Sequence, residues 1–94
     1  MFDLTDKVVL LTGATGGIGK SIAKKMKKKG AKLIISGTKQ NNLDNLSSEL
    51  GDDTKSIVTD LSSKESILNL AQKAEACFGQ IDVLVNNAGI TADN

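Results

Sequence analysis

The sequence contains no His, Tyr, Trp, Arg or Pro, and it has only one Cys and two Phe. Without His or Tyr, the usual groups for proton transfer are missing. Without His and with a single Cys, a structural zinc site is excluded. Cys77 cannot form an internal disulfide, and because it lies in a helical stretch we expect it to be a small, half-buried hydrophobic residue.

Long apolar runs are missing as well. No run approaches the roughly 20 residues that a membrane span needs, and the acidic start of the chain lacks the basic segment of a signal peptide. The 94 residues suffice for one small domain. An apolar content of 39% and a net charge of +1 argue against disorder and against a nucleic-acid partner. We therefore expect a cytoplasmic, globular protein with no membrane partner.

The chain alternates apolar strands with helical patterns. Strands are predicted at 7–12, 32–36, 55–59 and 81–85. Helices are predicted at 17–29, at 40–50, and from a capping box of Ser62 and Glu65 to Phe78. The alternation predicts an α/β fold with a parallel sheet and right-handed crossovers. The residues expected to face inward from the first and third helices are Ile18, Ile22, Met26, Ile67, Leu70, Ala71, Ala74 and Phe78.

A glycine-rich turn joins the first strand to the first helix. Its spacing is G-x-x-x-G-x-G on Gly13, Gly17 and Gly19, which departs from the G-x-G-x-x-G of the general dinucleotide fingerprint. Glycine lets a ligand approach the backbone closely, and the helix start attracts anions. A tight strand-to-helix turn needs glycine in any case. Because strand and helix flank the turn as a dinucleotide site requires, we favour binding.

Three segments resemble the short-chain dehydrogenases/reductases. Residues 12–19 look like the loop T-G-x-x-x-G-[IL]-G of that family, Asp60-Leu61 resembles its adenine contact, and residues 86–89 match its N-N-A-G motif. The tail N-A-G-I-T-A-D-N at 87–94 is similar to the 3-oxoacyl-[acyl-carrier-protein] reductase branch. The resemblance implies a Rossmann-type, three-layer fold with strand order 3-2-1-4, of which residues 1–94 form a single N-terminal dinucleotide-binding half-domain.

The resemblance also implies roles for individual residues. Those expected to cradle the pyrophosphate and the adjoining ribose are Gly13, Ala14, Thr15, Gly16, Ile18 and Gly19. Asp60 would accept from the adenine amino group beside the Leu61 backbone, and residues Asn87, Ala88 and Gly89 would line the ribose path. The alternative for Asp60 is a cap at a strand end. The alternative for Asn86 and Asn87 is a brace that holds the loop through hydrogen bonds between side chain and backbone.

Cofactor choice depends on the residue after the second strand. NAD binders place an acidic residue there to accept from the ribose 2′-hydroxyl, whereas this chain has Gly37, Thr38 and Lys39. No carboxylate would repel a 2′-phosphate, Thr38 offers a hydroxyl, and Lys39 brings a positive charge nearby. We therefore expect NADP(H), with NAD(H) as the alternative. No metal is expected.

The family's catalytic Ser and Tyr-x-x-x-Lys lie beyond N-N-A-G, so we expect this chain to bind cofactor without turnover. The resemblance implies a 3-oxoacyl thioester on acyl carrier protein as the parent's substrate, in fatty acid biosynthesis. The alternatives are a stand-alone dinucleotide-binding module and a piece of another short-chain dehydrogenase. The fourth strand, 81–85, would leave an open apolar edge and favour self-association. The lysine-rich run 24–29 is expected to be a solvated helix face rather than an acidic partner's site.

Overall fold

A computed structural model describes residues 3–60 and 63–87. The strands are β1 (Val8–Thr12), β2 (Lys32–Gly37), β3 (Thr54–Val58) and β4 (Val83–Asn86), and the helices are α1 (Gly17–Lys28), α2 (Gln40–Leu50) and α3 (Lys64–Phe78). All strands pair in parallel, in the order β3-β2-β1-β4. The predicted fold class and strand order are confirmed, and the element ends differ from prediction by one or two residues.

The sheet is covered on both faces, which makes three layers. Helices α1 and α2 pack on one face, with a core of buried side chains from β1, β2 and α2, and α3 packs on the other. The fully buried large side chains on the α1 and α2 face are Val9, Leu11, Leu33, Ile35, Leu43 and Leu46. The side chains buried on the α3 face are Val8, Leu10, Ile34, Leu70 and Ala74. Near-continuous apolar strands are what a parallel sheet covered on both faces requires.

Two predicted inward positions are wrong. Ile18 is 60% exposed and Ile67 is 51% exposed. The buried line of α1 runs through Gly19 and Ala23 instead, because the absence of a side chain at Gly19 brings the helix close to the backbone beneath it. Ile67 lies on the side of α3 that faces β4, where no other element of the described residues covers it.

The start of α3 is also shifted from the prediction. Its N-cap is Ser63, whose hydroxyl accepts a hydrogen bond from the Ser66 backbone N–H at 3.1 Å. The predicted capping box of Ser62 and Glu65 is therefore wrong by one position, and Ser62 lies outside the described residues. Two adjacent serines leave this register open in the sequence, because either hydroxyl can serve as a cap.

Polar contacts tie the helices to the rest of the fold. The Lys27 ammonium donates to the carbonyl oxygens of Ala31, Asp52 and Asp53 at 3.3, 2.7 and 3.3 Å, which fixes the end of α1 against the turn before β3. Lys24 Nζ lies 2.9 Å from Glu49 Oε2, and this hydrogen bond holds the pKa of Glu49 below its ordinary value.

The N-terminal segment also contacts the C-terminal end of α1. The Asp3 carboxylate accepts from the Thr5 hydroxyl at 2.6 Å, which lowers the pKa of Asp3. The Leu4 N–H donates to the Lys29 carbonyl at 2.8 Å, and Gly30 beside it has a φ of +93°. Gly30 thus ends the helix as predicted, since a positive φ favours glycine. No helix in the described ranges is long and apolar enough to cross a membrane.

Candidate functional site

The glycine-rich turn, residues 13–16, lies at the carboxyl end of β1, between the ends of β2 and β4. Gly13 has a φ of +63°, a conformation that favours glycine. The Ala14 N–H donates to the Ser36 carbonyl of β2 at 3.0 Å, and the Ala14 side chain is fully buried. The turn is therefore fixed from the β2 side by its own backbone.

Asn87 fixes the same turn from the β4 side. Its side-chain Nδ2 donates to the Gly13 carbonyl at 3.0 Å, and the residue is only 3% exposed. Its Oδ1 is buried and has no hydrogen-bond partner among the described residues. Burial of an unpaired acceptor costs free energy, so this oxygen marks a place where a donor from outside the described residues fits.

Asn86 has a different function from its neighbour. Its Oδ1 accepts from the Thr12 hydroxyl at 3.0 Å, across the pair that β1 and β4 make at their carboxyl ends. This contact joins two side chains across the strand pair, so it differs from the predicted brace between a side chain and the loop backbone. Asn87 makes a contact of the predicted form, from its Nδ2 to the Gly13 carbonyl.

The first turn of α1 approaches the glycine-rich turn more closely than a side chain would permit. A Cβ at Gly19 would overlap the Gly13 carbonyl oxygen and would lie 2.9 Å from the Ala14 backbone. The N-cap, Gly16, offers no side-chain hydrogen bond to the helix start. The first N–H groups of a helix are left without backbone partners, so they can bind an anion here.

The end of β2 has room for a side chain that the sequence does not supply. A Cβ at Gly37 would lie 3.5 Å from the Thr15 hydroxyl and 3.4 Å from Leu43 Cδ2. The Gly37 carbonyl accepts from the Thr59 N–H at 2.8 Å, which brings the end of β3 alongside. Thr38 follows at the start of the turn into α2. A longer residue at 37 would therefore project towards the glycine-rich turn.

The remaining predicted residues are more peripheral. Asp60 follows the end of β3, is exposed, and lines an open pocket of 160 Å³ with Ser66, Asn69 and Lys73 of α3. Ile18 is exposed at the first turn of α1. Leu61, Ala88 and Gly89 lie outside the described residues. No group of three or more His, Cys, Asp or Glu that could hold a metal occurs in residues 3–60 and 63–87.

The turn depends on two polar residues that the sequence reasoning did not single out. Ser36 supplies the carbonyl that holds Ala14, and Thr12 supplies the hydroxyl that holds Asn86. Both side chains are buried, at 1% and 4% exposure. For Thr12 the signal in the sequence is a polar residue at the end of an otherwise apolar strand, which predicts a hydrogen bond that the fold must satisfy. The Ser36 contact is made by a main-chain carbonyl, which any residue supplies, so its side chain gives no signal for it.

The sequence model of the short chain dehydrogenase family matches residues 7–94 of this chain. This chain belongs to the short chain dehydrogenase family. Nodulation protein G of Rhizobium sp. (strain N33) is 46% identical over 93 residues, which are 99% of this chain and 38% of that protein. The 3-oxoacyl-[acyl-carrier-protein] reductase FabG of Haemophilus influenzae is 46% identical over 88 residues, which are 94% of this chain and 36% of that protein.

Solved structures of the short chain dehydrogenase type share the fold. A variant of actinorhodin polyketide ketoreductase with NADPH superposes with a TM-score of 0.82 and 33% identity, over 87% of this chain and 33% of that one. The 3-ketoacyl-(acyl-carrier-protein) reductase of Brucella melitensis complexed with NADH gives 0.82 and 32%, over 87% and 34%. The chain thus spans little more than a third of the length of these relatives.

Proposed function

We propose that this chain is the NADP(H)-binding part of a short-chain reductase that converts a 3-oxoacyl thioester on acyl carrier protein to the 3-hydroxyacyl thioester. The observation that carries the proposal is the turn at Gly13, held by Ser36 and Asn87 and closed by the start of α1. The similarity to a 3-oxoacyl-[acyl-carrier-protein] reductase supports the substrate class, and two structural relatives that hold NADPH and NADH support a nicotinamide dinucleotide.

The residues present fit such a cofactor. Because Gly19 has no Cβ, the start of α1 lies directly against the turn at Gly13 and Ala14, where its first N–H groups can bind a phosphate. The unpaired Asn87 Oδ1 suits a ribose hydroxyl or an amide as donor. When bound, the nicotinamide ring supplies or accepts the hydride. The role of this chain is to hold the pyrophosphate at residues 13–19, with Asp60 at the adenine end and residues 87–89 towards the nicotinamide.

The preference for NADP(H) rests on Gly37. In this position a carboxylate would project towards Thr15 and would repel a 2′-phosphate. Thr38 and Lys39 follow with a hydroxyl, an N–H and a positive charge. We infer that the 2′-phosphate lies at this turn.

The cofactor proposal is tested by calorimetric titration of the 94-residue chain with NADPH and with NADH. The wild type is expected to bind NADPH more tightly. Gly37→Asp is expected to weaken NADPH binding by at least about tenfold, or about 1.4 kcal/mol, through repulsion of the 2′-phosphate. Gly37→Asn has the same size without the charge, so it isolates the contact with Leu43 and Thr15. Tighter NADH binding by the wild type would contradict the proposal.

We propose further that the 94-residue chain does not turn over alone. It has no Tyr or His to donate the proton that must accompany hydride transfer to a carbonyl. The test follows NADPH absorbance in the presence of a 3-oxoacyl thioester, and steady oxidation of NADPH would overturn this point. The substrate class is tested on the natural gene product at its native length, with carrier-protein-linked thioesters compared with free sugars and steroids.

A second candidate comes from the equal similarity to nodulation protein G, which is 46% identical over 93 residues. In this second candidate the cofactor is the same, and the substrate is not a 3-oxoacyl thioester. A native-length product that is inactive on 3-oxoacyl carrier protein while it binds NADPH would favour this candidate.

A further inference from the structure

The charges of this chain are separated along its sequence. The net charge of the whole chain is only +1, yet eight of its twelve lysines and none of its eleven acidic residues lie between Gly13 and Leu43. The other residues include four lysines and all eleven acidic residues. The basic segment 13–43 contains the glycine-rich turn, α1, β2 and the start of α2. A net charge near zero therefore conceals a strongly basic segment around the candidate site.

The outer surface of α1 is positively charged without a counter-charge of its own. α1 contains no acidic residue. Lys24 forms an ion pair with Glu49 of α2, and the Lys27 ammonium donates to three main-chain carbonyls. The exposed lysines of α1 that form no ion pair with any described residue are Lys20, Lys25 and Lys28.

These lysines form a row that leads to the glycine-rich turn. Because β1 and β2 are parallel, α1 and α2 both begin beside the carboxyl ends of their strands, where the turn lies. Lys20 is the fourth residue of α1. With a helical rise of about 1.5 Å per residue, Lys20, Lys25 and Lys28 follow the first helical residue by about 5, 12 and 17 Å. The exposed N-cap of α2, Lys39, adds a positive charge at the same end of the sheet.

We propose that the lysines of α1 steer the anionic dinucleotide to the glycine-rich turn and accelerate its association. The inference rests on the proposed function, because it requires a ligand whose phosphate groups bind at that turn. The pyrophosphate and the 2′-phosphate of NADPH together carry about four negative charges at pH 7. A surface with charges of one sign raises the local concentration of a ligand of opposite charge, and such steering increases association rates by about 10–1,000-fold.

Salt separates the contributions of the individual lysines. The Debye length is about 8 Å at 0.15 M ionic strength and about 30 Å at 0.01 M. Lys20 lies within the shorter of these distances from the start of α1, whereas Lys28 lies only within the longer one. Lys20 therefore acts at both ionic strengths, and Lys28 acts only at the lower one. Since steering precedes contact, it changes the association rate constant and leaves the dissociation rate constant nearly unchanged.

Stopped-flow measurement of NADPH fluorescence with the 94-residue chain gives both rate constants at each ionic strength. Lys20→Gln is expected to lower the association rate constant about threefold at 0.15 M and about tenfold at 0.01 M. Lys28→Gln is expected to lower it about twofold at 0.01 M and to have little effect at 0.15 M. Lys55→Gln is the matched control, because it removes the same charge from an exposed position of β3, outside the basic segment.

The comparison of NADPH with NADH provides a second readout. NADH lacks the 2′-phosphate, so its association with the wild type is expected to slow less than that of NADPH as salt is raised. Equal salt dependence of the two cofactors would contradict steering. So would an equal loss of rate in Lys20→Gln and Lys55→Gln, or an effect of Lys20→Gln confined to dissociation.

The same experiment distinguishes this inference from the proposed function. A wild type that does not bind NADPH would overturn both of them. Normal NADPH binding with an unchanged association rate constant in Lys20→Gln at both ionic strengths would overturn the inference alone.

Discussion

At the scale of residues, glycines shape the candidate site because they have no side chain. Gly19 lets α1 approach the carbonyl of Gly13, and a Cβ at Gly37 would just touch Thr15 and Leu43. In the same turn, Gly17 has open space where its Cβ would be. Glycines of the same motif therefore differ in whether the fold has space for a side chain at their position.

Replacement of Gly19 is predicted to damage the site. In Gly19→Ala the new methyl group would overlap the Gly13 carbonyl, so the turn must move. We expect a loss of about 1–3 kcal/mol in the free energy of unfolding, as for overpacking elsewhere, and at least tenfold weaker NADPH binding. Chemical denaturation and calorimetry measure both.

Gly17→Ala is the control for that substitution. It adds the same methyl group to the same helix turn, without a neighbour to meet, and it gains helix propensity of up to about 1 kcal/mol. Its stability is therefore expected to be equal or higher. Equal losses in the two variants would show that the close approach at Gly19 is unimportant.

The sequence identified the glycine turn but could not rank its members. Their spacing and flanking elements predict the site, because strand, turn and helix are local features. The hydrogen bond from Asn87 to Gly13 joins residues 74 positions apart in the chain, and it exists only after β4 has joined β1. The close approach at Gly19 is local, but it depends on how the turn folds back on the helix, which the spacing of glycines does not show.

At the scale of elements, α3 differs from α1 and α2 in having a side-chain cap. The Ser63 hydroxyl accepts from the Ser66 N–H, and the two hydroxyls lie 2.9 Å apart. Neither α1 nor α2 has a side-chain hydrogen bond at its N-cap. Leu68 of α3 is 64% exposed.

Removal of the cap is predicted to destabilise α3. Ser63→Ala should reduce the free energy of unfolding by about 1 kcal/mol, since one N–H of the first turn loses its partner. Ser62→Ala is the matched control and is expected to change stability by less than half as much. Urea denaturation followed by helical circular dichroism measures both. A larger loss of unfolding free energy in Ser62→Ala than in Ser63→Ala would show that Ser62 is the N-cap, as the sequence predicts.

Element type and order could be predicted from the sequence, and the finer packing could not. All seven elements were expected, because each is an apolar strand or a periodic helix bounded by glycine or a polar turn. The buried line of α1 was misplaced because Gly19 and Ala23 contribute little hydropathy although they make the closest approach. The exposure of Ile67 could not be predicted, because helical periodicity does not show how far the sheet extends beneath α3.

At the scale of the whole molecule, the first and last strands lie side by side. The Asp82 carboxylate accepts from the Val8 N–H at 2.9 Å, and the Asp82 N–H donates to the Val8 carbonyl at 2.9 Å. This reciprocal pair joins residues 74 positions apart. Together with the contacts of Asn86 and Asn87 at the other end, it fixes β4 along the full length of β1.

Asp82→Ala is predicted to weaken this junction. The Val8 N–H would lose its carboxylate acceptor, with an expected cost of about 1–2 kcal/mol in the free energy of unfolding. Asp82→Asn retains an acceptor oxygen and is expected to lose less than half of that. Hydrogen exchange of the Val8 amide provides a local readout. An unchanged exchange rate in Asp82→Ala would contradict the assignment.

The strand order was predicted from the resemblance of three motifs, since alternation of elements alone does not say on which side of β1 the fourth strand lies. Its position follows from a helix on the opposite face, which carries the chain from β3 across β2 and β1. The dinucleotide roles of residues 13–19, 38, 60–61 and 87–89 remain predictions from the resemblance.

The position of Asn87 has a consequence for the order of events during synthesis. A chain that emerges from its N-terminus can pair β1, β2 and β3 before residue 83 has been made, because those contacts are closer in sequence. The side chain that holds the Gly13 carbonyl arrives only after β1, β2 and β3 have been made. A nascent chain can therefore pair those three strands while the turn at Gly13 is still held from the β2 side alone.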